Sequence, residues 1–515
     1  MFKTDSPWIK TVILNPPTLQ NNTADADRLI NALKSKLKTT AIDVDVELLR
    51  RLSDVLRKAD YKMRCVVFKD RQRWILMDVT NLADTRTIAG LAADLGTTRV
   101  ELRLLDLDNG RTIAESAFDN PQESVGPDVL ARIHFTDQPR GLEKLNELVI
   151  NGLNRAIDNM CAANGLEPQN IYALSVAGNT TMTHLFMGLN PRWLIREPYI
   201  PVVNTPAILK AQTLGIRIHP QAAAFIFPNI GSYFGGDVIA GILFSKIHKH
   251  EETAILVDVG TNAEVVLGNK NWLIACAGAA GPALEGGVTQ MGMTAGPGVI
   301  DKISVNPNTH EFEIHTIENL PPKGICGSGI IDLAAQLFLS GMIDIRGKLI
   351  PAVCGNRLKQ IDGILHFVVV PADQSATKTD LSISQADLDS LIRSKAAMYT
   401  ILRTITASVG MTLTELETFY VAGTFGTFIN PRSAICIGML PDLPLDRYKP
   451  LGNSSLGGAA LVLTSDRYLN QIDDIRNRIT YLELNVNQEF MNRFSAAKFL
   501  PHTDPTEFPS VKFFK

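Results

Sequence analysis

Residues 253–268, TAILVDVGTNAEVVLG, limit what this chain can fold into more than any other stretch. An apolar run of β-formers, Ala254-Ile255-Leu256-Val257, delivers Asp258 to a turn at Gly260-Thr261-Asn262, and a second run, Val265-Val266-Leu267, leaves at once. This pattern predicts a β-hairpin with a carboxylate at its tip. Glycine reaches backbone angles closed to other residues, so the Gly260 and Thr261 amides can approach an anion while Asp258 holds a hydrated magnesium beside it. Phosphate and metal suit that chemistry, although the same residues also form ordinary turns with a side-chain cap.

The pattern occurs twice. Residues 90–105, GLAADLGTTRVELRLL, run into Asp94, turn at Gly96-Thr97-Thr98 and leave with Val100, Leu102 and Leu104 in alternation. Two such hairpins predict two related lobes, each supplying a phosphate loop to a shared cleft. The pair resembles the phosphate motifs of the superfamily that contains actin, sugar kinases, acetate kinases and heat-shock chaperones. A third stretch, 417–430, ends a strand in Ala422-Gly423-Thr424-Phe425-Gly426, where that superfamily places its adenosine motif. The resemblance implies an α/β fold: a two-lobed actin-like ATPase with ribonuclease H-like lobes, binding ATP and Mg²⁺.

With 515 residues, the chain is too long for one ordinary core. Residues 1–86 read as a small α+β linker or dimerisation domain, with helices near 25–37 and 45–58 and short strands near 65–68 and 74–77. Lobe I is expected over 87–252 and lobe II over 253–515, its C-terminal segment returning toward lobe I. A net charge of −3 gives no polyanion-binding character and argues against nucleic acid. No apolar run approaches a bilayer span and the start lacks a signal-peptide core, so a cytoplasmic protein without membrane contact is expected. Six scattered cysteines, without a CxxC pair, argue against structural zinc and against an iron–sulfur cluster within the chain; buried thiols are expected. His248 and His250 flank Lys249 in what reads as a solvated helix end.

Between the hairpins, a buried-type strand over 171–177 empties into Gly178-Asn179-Thr180-Thr181-Met182, where Asn179 either caps a helix or touches ligand. Gly235-Gly236-Asp237 opens an apolar helix over 238–244. Asp237 is the candidate to orient a water toward a phosphate, the alternative being a carboxylate placed for the helix dipole. Ser328, in KGICGSGIIDL, is a cap or a ligand. Lys395 lies in a helix over 384–410, just before the adenosine-like strand, and is a candidate ribose or adenine contact or else a solvated lysine. Residues 451–463, LGNSSLGGAALVL, read as a small-residue helix start suited to a hinge.

Taken together, ADLGTT (93–98), GNTTM (178–182), FGGDVIAGIL (234–243), DVGTNAE (258–264), ICGSGIIDL (325–333), AGTFG (422–426), GNSSLGGA (452–459) and FLPH (499–502) resemble the reductive activators of corrinoid proteins. That resemblance implies an ATP-dependent activase returning inactive cobalt(II) corrinoid to cobalt(I), with a corrinoid protein of a methyltransferase system as partner and a homodimer as the assembly. Asp94 and Asp258 would then serve Mg²⁺ and catalysis, with Gly96, Thr97, Thr98, Gly260, Thr261 and Asn262 at phosphates and Gly423, Thr424, Phe425 and Gly426 at adenosine. Relatives usually begin with a plant-type [2Fe–2S] domain, whose C-x₄-C-x₂-C spacing is missing here. Either such a domain precedes this sequence or a separate ferredoxin-like donor supplies the electron. A small-molecule kinase and an ATP-switched binding protein on the same fold are the alternatives.

Overall fold

The computed structural model describes every residue except 1–5, 72, 261–262, 279–288, 290, 307–308, 310, 424–428, 485–487 and 513–515. The chain divides into two compact units. One is Met1–Phe244 with Ser454–Asn477, the other Ser245–Asn453 with Arg478–Lys515. Among the described residues no helix is long and apolar enough to cross a membrane.

The first unit opens with a four-stranded sheet in the order Ile9–Ile13, Lys62–Asp70, Arg73–Asn81, Ile42–Val44. Its two long strands reach well beyond the predicted cores at 65–68 and 74–77, because backbone pairing continues through polar Lys69-Asp70 on one side and Arg73 on the other. Two helices, Asp25–Leu37 and Val46–Lys58, cover it with Leu29, Leu33, Leu48, Leu52 and Leu56 inward; Asp45 caps the second by accepting the Glu47 amide.

Next comes a six-stranded sheet ordered Thr112–Asp119, Arg99–Asp106, Ala89–Leu95, Ile171–Gly178, Ala223–Ile226, Leu209–Lys210. The first three strands are antiparallel and the next two join in parallel. The parallel strand Ile171–Gly178 is buried along its whole length, as expected of one covered on both faces. Helix Gly141–Ala163 packs Leu145, Val149, Leu153 and Ile157 against this sheet, and Gly165 follows at φ +66 to end it.

The second unit repeats the plan. Its sheet runs Leu273–Gly278, Ala263–Gly268, Ala254–Val259, Thr418–Ala422, Tyr448–Gly452, three antiparallel strands and then two in parallel, with Ile479–Tyr481 added at the antiparallel edge. Helices Gly327–Leu339 and Gln385–Ala407 supply much of its core. The fold is therefore the mixed α/β architecture that the two hairpins predicted, with one sheet plan used twice.

All six cysteines are buried, and desolvation pushes the Cys436 thiol up to about 12. His248, expected at a solvated helix end, is instead buried within a single turn, Ile247–Lys249. The helix stops earlier, at Ser245, so the chain folds back and takes the imidazole with it.

Asp78, 5% exposed, ties the linker sheet to the larger sheet of the first unit: its Oδ1 accepts from Arg51 at 2.5 Å and its Oδ2 from the Tyr172 hydroxyl at 2.6 Å. His219 stacks on Tyr172 with centroids 4.2 Å apart. Tyr172→Phe should cost about 1–3 kcal/mol, the price of leaving a buried carboxylate oxygen short of a donor. Denaturant unfolding followed by circular dichroism checks it, and an unchanged midpoint would mean that the junction does not depend on this bond.

Candidate functional site

In the first unit five segments converge on the end of strand Ala89–Leu95. Asp94 closes that strand, and its Oδ1 accepts the Ser455 hydroxyl at 2.7 Å. The turn that follows is pinned from the third strand: buried Asn120 donates its side-chain amide to the Gly96 carbonyl at 2.9 Å and its backbone amide to the Thr98 carbonyl at 2.7 Å. Close approach, rather than a left-handed angle, demands glycine at 96, since a Cβ there would lie 2.3 Å from the Arg99 carbonyl oxygen. Thr97 is buried and accepts from the Asn179 amide at 3.1 Å, whereas Thr98 is exposed.

Asn179 also caps helix Thr180–Phe186, its Oδ1 accepting the Met182 amide at 2.9 Å. The cap is therefore present, and it fixes the side chain that reaches Thr97. Gly235 lets the next segment approach: a Cβ on it would lie 2.5 Å from Asn179 Cα and 2.7 Å from Asp237 Oδ1. Asp237 stands in the first turn of helix Gly236–Ser245, half-buried, with Oδ1 accepting the Val238 amide at 2.8 Å. The structure therefore places Ser455 on Asp94 and Asn179 on Thr97, with Gly235 lying close to both Asn179 and Asp237.

In the second unit Asp258 occupies the equivalent position. It lies across from Ala422 on the parallel strand and from Glu264 on the antiparallel one. Gly423 follows at φ +83, where a Cβ would lie 2.8 Å from the Val259 carbonyl oxygen and 2.9 Å from Asp258 Oδ1. In the first unit Asp94 lies across from Ala177, which Gly178 follows. Each sheet thus sets a carboxylate across from the alanine of an Ala-Gly strand end. In the second unit a side chain at 423 would crowd the carboxylate, and that opening suits phosphate with a hydrated divalent cation, whereas at 178 a side chain would meet Leu95 instead. Among the described residues no three His, Cys, Asp or Glu side chains converge on a metal-sized point. Gly260 is exposed at the hairpin tip, and Thr261, Asn262, Thr424, Phe425 and Gly426 lie outside the described residues.

Two candidates sit elsewhere. Lys395 is fully buried, its ammonium donating to the carbonyls of Phe499 and Pro501, the latter at 2.7 Å. Burial pushes its pKa well below the ordinary lysine value, and its donors hold down the FLPH segment. This placement corrects the ribose and solvated readings alike, because the C-terminal segment covers the ammonium. Ser328 is buried at the second position of helix Gly327–Leu339, with Oγ 3.2 Å from Cys326 Sγ; Cys326 holds the cap position itself.

Sequence reasoning passed over Asn120, Ser455 and Asp332. Asp332, four positions after Ser328, is buried, and desolvation pushes its carboxyl pKa up, partly opposed by the nearby polar side chains of Ser433 and Asn430 at the start of helix Pro431–Cys436. Ser455 and Asp332 carried only the signal of their place inside motifs whose other members drew attention, and Asn120 lies outside every such motif.

Comparison with known proteins agrees with the geometry. Family models for RACo match along the chain: the linker region over residues 6–86, the middle region over 89–250, and the C-terminal domain, described as the ASKHA domain, over 252–512. The chain belongs to the RACo family. A solved structure named as a reductive activator for corrinoid, iron–sulfur protein superposes with a TM-score of 0.91 at 37% identity, over 99% of this chain and 81% of that one. The corrinoid activation enzyme RamQ of Eubacterium limosum is 28% identical over 95% of this chain and 82% of its own length. The methylated amine-specific corrinoid protein reductase of Methanosarcina barkeri is 22% identical over 78% of this chain and 75% of its own. This RACo family member thus carries the linker, middle and ASKHA regions in that order.

One buried base ties helix Thr180–Phe186 to the segment at Val202. His184 Nδ1 lies 2.7 Å from the Thr180 carbonyl and its Nε2 accepts the Val202 amide at 3.0 Å, an arrangement that requires the neutral ring with its proton on Nδ1. Burial lowers its pKa, partly opposed by the bond to Thr180. A histidine depressed in the folded state lets the unfolded chain take up the proton first as pH falls below about 6.5, so its contribution is complete above that pH and is lost on descent to the folded value. Melting temperature measured from pH 7 to 5 should fall more steeply in the wild type than in His184→Gln, and parallel curves would contradict the assignment.

Proposed function

We propose that this chain is an ATP-dependent activase that returns an inactive cobalt(II) corrinoid protein to the cobalt(I) state. The observation that carries the reading is the 37% identical match, over 99% of the chain, to a reductive activator. Both named curated relatives act on corrinoid systems as well. In the proposed reaction a reduced, low-potential donor of ferredoxin type gives one electron to cobalt(II), and ATP with water becomes ADP and phosphate. Nucleotide turnover drives the transfer by favouring one conformation of the complex through differential contact.

Asp258, Gly260, Thr261 and Asn262 in the second unit, and Asp94, Gly96, Thr97 and Thr98 in the first, are proposed to handle phosphate, with adenosine assigned to 423–426. Mg²⁺, when bound, neutralises developing phosphoryl charge, and Asp94 and Asp258 would hold its water shell. Asp237 is proposed to orient the attacking water, and Ser455 fixes the Asp94 carboxylate by the bond it donates. Homodimerisation through residues 1–86 belongs to the same proposal; Ile13, Leu19, Val46 and Leu49 are exposed there.

Asp258→Ala should remove about 2–4 kcal/mol of transition-state stabilisation in ATP hydrolysis, the scale of one preorganised electrostatic group. Asp237→Asn should keep ATP affinity and lower turnover about 10²-fold. Steady-state ATPase assays and nucleotide titration separate the two effects, and equal loss of affinity and turnover in Asp237→Asn would leave that residue a structural role.

The visible spectrum of the corrinoid protein tests the whole reading. Cobalt(II) absorption should persist with protein and ATP alone and give way to cobalt(I) when a low-potential donor is added. Reduction that runs equally well with donor but without ATP would refute the activase, and phosphorylation of a small molecule would put a kinase in its place.

A further inference from the structure

The first unit holds a cavity that the nucleotide chemistry does not use. It lies where the linker sheet meets strands Ile171–Gly178 and Ala223–Ile226 and the C-terminal turn of helix Ser454–Thr464, and its volume is about 170 Å³. Four aromatic side chains, Trp8, Phe68, Trp74 and Phe225, line it, together with aliphatic Val462 and Leu469. Trp8 and Phe68 stack at 5.3 Å with planes 22° apart, so the aromatic wall is preorganised. A cavity of roughly 150 Å³ is large enough to accept benzene.

The charged groups around it already have partners. Lys69 pairs with Asp466 at 3.1 Å and lies over the Trp74 ring, and Lys10 donates to the Ser6 carbonyl at 2.7 Å. The Trp8 indole donates to the Leu463 carbonyl at 2.5 Å. A ligand bearing a full charge would have to displace one of these contacts. A neutral ring needs to displace none, and it gains stacking or edge contacts on several sides.

We propose that this cavity is a binding site for a small, neutral, planar aromatic molecule of one or two fused rings, and that its occupancy acts on the candidate nucleotide site. The route of action is one short helix. Val462 and Leu463 at its last turn meet the cavity and Trp8, while Ser455 near its first turn holds Asp94 at 2.7 Å. An occupant that shifts the last turn shifts the hydroxyl that orients the carboxylate, since the intervening two turns move as a rigid rod. The binding half stands on the cavity alone, and the coupling half rests on the ATP reading above.

Indole is the probe, titrated into the full chain by calorimetry. Saturable binding at one site per chain is expected, weakened at least tenfold for indole-3-acetate and at least tenfold in each of two cavity-filling variants, Ala223→Phe and Leu469→Phe. Bromoindole soaked into crystals should give its anomalous signal between Trp8 and Phe225, a readout that needs no variant to fold. Saturating indole should change ADP affinity at least threefold in the wild type and leave it unchanged in the filled variants. Absence of saturable binding, an anomalous signal elsewhere, or equal binding by folded filled variants would overturn the site. Indole binding without a change in ADP affinity would overturn the coupling, whereas a chain that binds indole but no nucleotide at all would overturn the ATP reading and leave the cavity assignment standing.

Discussion

Both units depend on one pairing: the first strand of each hairpin lies parallel to a strand that arrives much later in the chain. The register is the same in the two, Asp94 across from Ala177 and Asp258 across from Ala422. In the second unit Gly423 follows Ala422 at φ +83 and leaves the carboxylate beside backbone without a side chain, whereas Gly178 of the first unit pairs with Leu95. A slip of one residue in either ladder would turn the aspartate to the opposite face of its sheet, and with it every apolar neighbour. Burial of those neighbours therefore fixes the position of the polar group. The apolar residues Val257 and Val259 that flank Asp258 belong to the second unit's core, and that core sets the register.

Around this arrangement the molecule uses polar side chains mainly to hold backbone. Asn120 ties the turn after Asp94, Asn179 ties a helix start to Thr97, and Lys395 gathers two carbonyls of the C-terminal segment. Each is buried or close to it, so each contact is made at low dielectric, where an unpaired group is costly. Such bonds specify geometry more than they add stability.

Legibility in the sequence followed the range of the interaction. Hairpins were readable because alternation and a turn sit within a few residues, and the Asn179 cap because its partner is three positions away. Helix ends at Gly165 and Asp45 were local signals too. Ser455 was not readable as a partner of Asp94, since 361 positions separate them, and Lys395 lies 106 positions from Pro501. A lysine in a helix gives no local sign that distant carbonyls will cover it. His248 misled for the same reason, because neighbouring lysines suggested solvent while the fold took the ring inside.

The return of Ser454–Asn477 to the first unit has a bearing on how the protein is made. A ribosome releases the linker and the first hairpin early, but the helix that donates to Asp94 and carries Leu463 to Trp8 emerges only after nearly all of the second unit. Until then the sheet at Ala89–Leu95 lacks one of its covering layers, and its apolar face waits in an incomplete fold. The nascent first unit is thus held short of completion for most of translation, and the late helix is the part that closes the carboxylate's surroundings.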